Sequence, residues 1–173
     1  MQREIDLTYH PKLLALWKTG RLHRFWFRRY RGLFDRDDLR LANNQHRGGY
    51  HFGEWFTAIQ YHKKGYKVLQ SKYANPNHHS KYAKALSLLK EGSLAWLWRK
   101  GRPDLLVYKG RRFFFVEVKR DRDRLSAAQE RRFRQIEERF GSAVSVVWLR
   151  KRRMFGGPGL SRTVDLALIR GAL

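Results

Sequence analysis

Two acidic residues lie beside or inside apolar runs that have the composition of β-strands. Asp104 begins a run predicted to be a strand over 103–108, and Glu117 lies inside a second predicted strand over 113–119. The four residues that follow Tyr108, Lys-Gly-Arg-Arg, are typical of a hairpin turn. A carboxylate inside a strand is costly to bury unless a cation or donor pairs with it. The pattern therefore predicts an antiparallel hairpin that carries two acids needing a partner.

Helical and strand patterns alternate along the rest of the chain. We predict a basic amphipathic helix or pair of helices over 11–31, a loop over 43–49, a helix over 53–64, a strand over 66–71, a short helix over 80–91 and a helix over 126–140 that ends at Gly141. The apolar run 143–149 is typical of a buried parallel strand. This order predicts an α/β fold with a central mixed sheet flanked by helices.

The charge and composition of the chain indicate its class of partner and exclude several classes of protein. Against 15 Asp and Glu stand 38 Lys and Arg, so the net charge is +23 and the isoelectric point is near 11.1. This balance predicts a polyanionic partner, nucleic acid before an anionic membrane surface. The absence of cysteine excludes disulfide scaffolds, thiolate zinc sites and a cysteine nucleophile. No apolar run approaches the roughly 18 residues of a membrane-spanning helix, and the first residues are not a signal peptide. We expect an intracellular protein with no membrane partner, in the cytoplasm or nucleoid if it is bacterial or viral.

The spacing of the acids predicts metal-dependent hydrolysis. Glu117 and Lys119 lie two residues apart, hence on one face of their strand, and the short turn brings Asp104 near Glu117. Two like charges at that distance repel each other unless a cation bridges them. Oxygen ligands without His or Cys favour Mg²⁺ or Mn²⁺ over zinc. We predict Asp104, Glu117 and the backbone carbonyl of Val118 as ligands, with Lys119 orienting water or stabilising the transition state of phosphodiester hydrolysis.

The same residues also have purely structural interpretations. Asp104 after proline also fits a turn. Glu117 and Lys119 also fit a same-face ion pair on an exposed strand, although the flanking Phe and Val residues argue against exposure.

The order of these residues resembles a known nuclease motif. Pro103-Asp104, thirteen residues before Glu117-Val118-Lys119, is similar to the motif of the PD-(D/E)XK superfamily. With the runs 101–105, 115–119 and 123–129, residues 50–150 resemble the VRR-NUC family. The resemblance implies a PD-(D/E)XK, restriction-endonuclease-like core. It also implies two further catalytic residues: Glu54, as an additional metal ligand, and Gln129.

Both added residues have structural alternatives. Ser126 and Gln129 have the spacing of a capping box at a helix start, although helical periodicity places Gln129 on the apolar face that would lie against the sheet. Glu54, in the first turn of a helix, is favourable there in any case.

The resemblance implies a Mg²⁺- or Mn²⁺-dependent endonuclease acting on structured DNA. Similarity to stand-alone VRR-NUC proteins implies a homodimer that cuts four-way (Holliday) junctions in DNA repair or recombination. The alternatives are a flap- or single-strand-directed nuclease and a non-catalytic protein that binds DNA or RNA. The cations predicted to contact the DNA backbone are Lys72, Arg99, Lys100, Arg102, Arg111, Arg112 and Arg120.

Three segments are expected from the sequence. Residues 1–49 would form a basic helical N-terminal extension, 50–150 the nuclease core, and 151–173 a basic, glycine-rich C-terminal segment. The apolar and aromatic side chains of 11–31, or the chain after Gly156, would supply the dimer interface.

Overall fold

The strands form one mixed sheet with two parallel and two antiparallel pairings. A computed structural model describes residues 3–70 and 72–152 of the chain. In this part the strands are β1 (Arg3–Tyr9), β2 (Lys67–Gln70), β3 (Leu105–Lys109), β4 (Arg112–Arg120) and β5 (Val144–Lys151). Their order is β1-β5-β4-β3-β2. β5 is parallel to both of its neighbours, whereas β3 is antiparallel to β2 and β4.

Helices cover both faces of this sheet. They are α1 (Pro11–Lys18), α2 (Arg21–Arg29), α3 (Arg36–Gln45), α4 (Phe52–Lys63), α5 (His79–Leu86), α6 (Glu91–Lys100) and α7 (Ala127–Phe140), with a single 3₁₀ turn at His46–Gly48. No helix in the ranges 3–70 and 72–152 combines the length and the apolar character needed to cross a membrane.

Alternating side chains of β4 divide the core into two layers. Val116 joins the layer under α1, α2 and α4, where the buried aromatic rings include Trp17, Trp26 and Trp55. Phe115 joins the opposite layer, with Phe133 of α7 and residues of α6. The sheet is therefore covered on both faces, as predicted for a mixed α/β fold. The predicted hairpin and the predicted buried parallel strand are both confirmed.

The N-terminal residues belong to this core. β1 lies parallel to β5 at the sheet edge, a strand that the sequence did not predict, with Ile5 opposite Val147. The predicted basic helices of 11–31 are α1 and α2, and Trp17 and Trp26 are fully buried between them and α4. The expectation that the aromatic side chains of 11–31 supply a dimer interface is therefore wrong for these two rings. The second candidate, the chain after Gly156, lies outside the described residues.

Two other local predictions need correction. The predicted loop 43–49 is mostly the end of α3 and the 3₁₀ turn; Asp35 and Asp38 start that helix with a reciprocal capping box. The predicted helix 80–91 ends early, at Leu86 of α5, and a separate helix, α6, begins at Glu91 after extended backbone at Lys90. Gly92 then lies in the first turn of α6 instead of ending a helix.

Candidate active site

The two acids of the hairpin meet where β3 begins and where β4 extends past it, paired only with β5. Leu105, the first residue of β3, lies opposite Val116, so Glu117 and the residues after it have no partner on the β3 side. Asp104 occupies this position, and its Oδ2 accepts a 2.8 Å hydrogen bond from the backbone N–H of Val118. Asp104 thereby satisfies a donor that the end of β3 would otherwise leave unpaired.

The same geometry places the Val118 carbonyl. In a strand, the N–H and C=O of one residue point to the same side. The N–H of Phe115 points to β5, where it bonds Ala143, and the N–H of Val118 points to Asp104. The carbonyl of Val118 consequently lies on the Asp104 side of β4, where the sequence placed it as a ligand.

Glu117 is held by two side chains. The residue is only 7% exposed. Its Oε1 accepts one hydrogen bond from Nζ of Lys119 and one from Nε2 of Gln129, each 2.8 Å long. Glu117 and Lys119 lie on one face of β4 as predicted, and the face is the one covered by α7. The structural interpretation, an ion pair on an exposed strand, is therefore wrong.

The environment of the acids favours a bound cation. Burial, followed by the charges of Glu117 and Glu54, raises the pKa of Asp104 well above its ordinary value. Burial also raises the pKa of Glu117, and the hydrogen bond and charge of Lys119 only partly oppose this. Both carboxylates gain from an added positive charge, since desolvated like charges are costly.

Gln129 serves the helix and the site together. Its N–H donates to Oγ of Ser126, and its Oε1 accepts from the Ser126 N–H, both at 3.2 Å, which closes a capping box at the start of α7. Its Nε2 remains available to bond Glu117. Gln129 therefore acts in the helix cap and also contacts the site, because its amide offers both a donor and an acceptor.

Two substitutions separate these roles of the α7 start. Ser126→Ala removes the cap bond from the Gln129 N–H to Oγ and leaves the Gln129–Glu117 bond possible, whereas Gln129→Ala removes the reciprocal cap bond from the Ser126 N–H to Oε1 together with the Gln129–Glu117 bond. We expect each variant to lose about 1 kcal/mol of unfolding free energy and only Gln129→Ala to lose DNA cleavage as well. Thermal melting and cleavage rates of both variants check this, and equal cleavage by the two would show that Gln129 acts only as a cap.

Glu54 lies near the pair from the other face of the sheet. It sits in the first turn of α4, partly buried, and its charge raises the pKa of both Asp104 and Glu117. Nδ1 of His51 is 3.4 Å from its Oε1, and Nε2 of His51 lies 2.9 Å from Oε1 of Gln45. The hydrogen bond to Glu54 raises the pKa of His51.

His51 is a site residue that sequence reasoning missed. Its φ of 64° is left-handed, a conformation that non-glycine residues seldom adopt and that clusters at functional sites. A lone histidine before a helix carries no such signal in the sequence. In the sequence, only the glycine pair 48–49 just before His51 indicates unusual backbone here.

Two cavities open onto the acids. One, of about 300 Å³, is lined on the α7 side by Arg102, Gln129 and Arg132, and the other, of about 270 Å³, is lined on the α4 side by Tyr50 and Glu54. Asp104 and Glu117 line both cavities. The carboxylates thus lie at the bottom of a cleft that is accessible from two directions.

A family model described as the VRR-NUC domain matches residues 55–148. That match covers more than half of the chain, from the first turn of α4 to β5. The chain belongs to the VRR-NUC family. Its fold is accordingly of the PD-(D/E)XK type, as the sequence predicted.

Other comparisons add little to this family assignment. No curated protein matches the chain. A chain from the crystal structure of paFAN1 bound to 2-nt 5′-flap DNA with a gap is similar over 83% of this chain and 31% of its own length, with 23% identity and a TM-score of 0.38. This chain therefore spans about a third of that protein, and the likeness is too distant to carry an argument about function.

The acids of this VRR-NUC domain fit a hard divalent cation. Glu117 is buried and Asp104 is partly buried, and both line the two cavities and gain from a positive charge. Asp104, Glu117 and the Val118 carbonyl would hold the ion, with water completing the set. Over residues 3–70 and 72–152, no three His, Asp or Glu side chains come close enough to form a ligand set by themselves. Glu54, predicted as a further ligand, lines the α4-side cavity together with both acids.

The cations predicted to contact DNA are spread over the VRR-NUC domain. Arg102 and Arg120 line the α7-side and α4-side cavities respectively, and Arg120 donates to the Gly49 carbonyl. Arg99 and Lys100 are the last two residues of α6, and Lys72 follows β2, whose last residue pairs with the first residue of β3. Arg111 and Arg112 lie at the turn of the β3–β4 hairpin, at the opposite end of those strands from Asp104. The structure does not bring this last pair to the site.

Proposed function

We propose that this VRR-NUC protein is a Mg²⁺- or Mn²⁺-dependent endonuclease that hydrolyses phosphodiester bonds in branched DNA. The observation that supports the proposal best is the desolvated Asp104–Glu117 pair, held beside Lys119 and Gln129 in an open cleft. A purely structural ion pair gains nothing from exposure to two cavities. The net charge of +23 suits a polyanionic substrate, and we propose that the enzyme acts inside the cell.

Each residue of the site has a separate task in this proposal. When bound, the ion would neutralise charge on the phosphate and lower the pKa of a water ligand. Asp104 is fixed by the Val118 N–H, and Gln129 fixes the rotamer of Glu117. Lys119, anchored on Glu117, presents its ammonium group where charge develops on the phosphate oxygens. Glu54, held by His51, adds negative charge at the rim of the cleft and keeps the site attractive to cations.

A cleavage assay on a panel of labelled DNAs tests this function. The panel contains continuous duplex, single strand, gapped duplex, 5′-flap and four-way junction DNA, with a single-stranded RNA beside them, each incubated with Mg²⁺, Mn²⁺ or a chelator. We expect ion-dependent internal cuts in the branched DNAs. Binding without cleavage under all conditions would indicate a non-catalytic DNA-binding protein, and cleavage of RNA alone would indicate a different substrate class.

The finer proposal is a homodimer that cuts four-way junctions symmetrically. Two nicks in strands of opposite polarity require two active sites related by a twofold axis, and this reading rests on similarity to stand-alone family members. We expect light scattering to give a dimer and sequencing gels to give paired nicks. A monomer that cuts only at flaps would overturn this finer proposal and leave the nuclease proposal intact.

DNA affinity is expected to fall steeply with salt. The cations are dispersed over many segments, which is typical of contacts to phosphates and not to base edges. If about six phosphates are contacted, affinity should fall roughly 1000-fold between 50 and 200 mM salt. Fluorescence anisotropy with two junctions of the same shape and different sequence checks both points. A flat salt profile, or a strong preference for one sequence, would contradict backbone binding.

A further inference from the structure

Two exposed aromatic rings flank the site and have no part in the hydrolysis proposed above. Over the described residues, the large apolar side chains on the surface are Tyr50, Trp98 and Leu86, which are 66%, 42% and 39% exposed. Tyr50 lines the α4-side cavity and Trp98 contacts Arg102, which lines the α7-side cavity, whereas Leu86 lies at the end of α5 and lines neither cavity. Exposed aromatic rings beside a site are typical of contacts to a ligand.

The two rings lie on opposite sides of the carboxylate pair. Tyr50 lines the α4-side cavity together with Glu117 and Lys119. Trp98 lies beside the α7-side cavity, since the guanidinium carbon of Arg102, which lines that cavity, is 5.3 Å from the centre of the indole ring. A DNA strand whose phosphate reaches Asp104 and Glu117 would therefore pass one ring on each side.

Tyr50 is held in place by contacts on both its backbone and its ring. Its carbonyl accepts a 3.0 Å hydrogen bond from Nε1 of the fully buried Trp17. Its ring packs on Gly48, where an added Cβ would lie 2.6 Å from the ring. Gly48 does not have a positive φ, so a side chain at this position would disturb the ring contact and not the backbone.

We propose that Tyr50 and Trp98 stack on nucleobases at either side of the scissile phosphate and thereby select DNA whose helix is interrupted. The proposal rests on the nuclease function above and names the feature of the substrate that the site recognises. In a continuous duplex, each base face is covered by its neighbours. At a branch, gap or end, a face is free to stack on an aromatic ring, and any of the four bases can do so.

Neighbouring charges make a nucleobase the partner that fits these rings. Arg102 stands over Trp98, and Lys119 and Arg120 line the cavity of Tyr50. A cation beside each ring provides for the phosphate that accompanies a stacked base, and an arginine over an indole adds a cation–π contribution.

Fluorescence in a non-cleaving protein tests the stacking directly. The wild-type rings are kept in an Asp104→Asn protein, and 2-aminopurine is placed next to the gap in a gapped duplex. We expect binding of the Asp104→Asn protein to quench this fluorescence. Adding Trp98→Ala should abolish most of the quench on one side of the gap, and adding Tyr50→Ala should abolish most of it on the other side. Leu86→Ala is the matched control, because it removes an apolar side chain of similar exposure away from the cleft.

Cleavage selectivity gives the second measurement. The ratio of the cleavage rate on gapped or branched DNA to that on continuous duplex should fall roughly tenfold for each ring removed. Tyr50→Phe and Trp98→Phe keep a ring and should restore most of the ratio. Melting curves of all variants identify any Ala variant that fails to fold, and Tyr50→Leu or Trp98→Leu, which keep an apolar side chain without a ring, then carry the test.

The outcomes of the two measurements distinguish the two proposals. Quenching and rate ratios for Trp98→Ala and Tyr50→Ala that equal those of Leu86→Ala would overturn the stacking proposal, whatever the nuclease activity. Ring-dependent quenching by a protein that cleaves no DNA with either ion would support stacking and overturn the nuclease function.

Discussion

The Asp104→Asn protein is expected to bind branched DNA with near wild-type affinity and to cleave it roughly a thousandfold more slowly or not at all. Asparagine keeps the size of the side chain and an oxygen that accepts from the Val118 N–H, so the local fold is retained. It removes the negative charge that would hold the ion. Binding depends on many dispersed cations and is therefore expected to survive. Parallel measurements of anisotropy and of single-turnover cleavage check both halves of this prediction.

Matched variants show whether the loss belongs to this site. Glu117→Gln and Lys119→Ala should also stop cleavage, because the first removes the second carboxylate and the second removes the ammonium beside it. Asp6→Asn makes the same chemical change at an exposed ion pair with Arg150, and it should cleave like wild type. Normal cleavage by the Asp104→Asn protein in the presence of Mg²⁺ or Mn²⁺ would show that the active site lies elsewhere.

The hairpin and its acids were predictable because their signals are local. A four-residue turn fixes the register of β3 and β4, so two acids thirteen residues apart in the chain must meet at the open end of the hairpin. Gln129 was also predictable, because the capping box and the apolar stripe of α7 both depend on near neighbours in the sequence. In each case the sequence separation is short or the period is regular.

Other features of the structure could not be predicted, because they depend on contacts between distant residues. β1 is a strand because β5, about 140 residues later in the chain, pairs with it. Lys81 of α5 is buried against Asp35 and Asp38 beside α3, and its Nζ donates to the Gln70 carbonyl at the end of β2. A lysine in a basic helix gives no sign of such burial. The left-handed backbone of His51 likewise becomes visible only with the fold.

The metal-free protein is expected to be destabilised by its own active site. Burial and mutual repulsion raise the pKa of Asp104 and of Glu117 in the folded state. The folded protein then binds more protons than the unfolded chain, so the free energy of unfolding falls as the pH rises above about 4, the ordinary range for these groups. At neutral pH without divalent ions, Asp104→Asn should therefore melt at a higher temperature than wild type, and this difference should shrink as the pH is lowered toward 4.

Adding the ion should reverse the order of the two melting temperatures. An ion that binds only the folded state stabilises it by about 2.7 kcal/mol at a hundredfold excess over its dissociation constant. For a chain of this size each kcal/mol shifts the melting temperature by about 2–4 °C, so Mg²⁺ or Mn²⁺ should raise that of wild type by roughly 5–10 °C. Asp104→Asn should show little of this shift, and Asp6→Asn should show all of it. Sodium chloride at equal ionic strength is the control for non-specific effects of salt on melting. Because melting does not depend on DNA or on turnover, an equal shift in Asp104→Asn and wild type would place the ion outside the Asp104–Glu117 pair even if cleavage needed the metal.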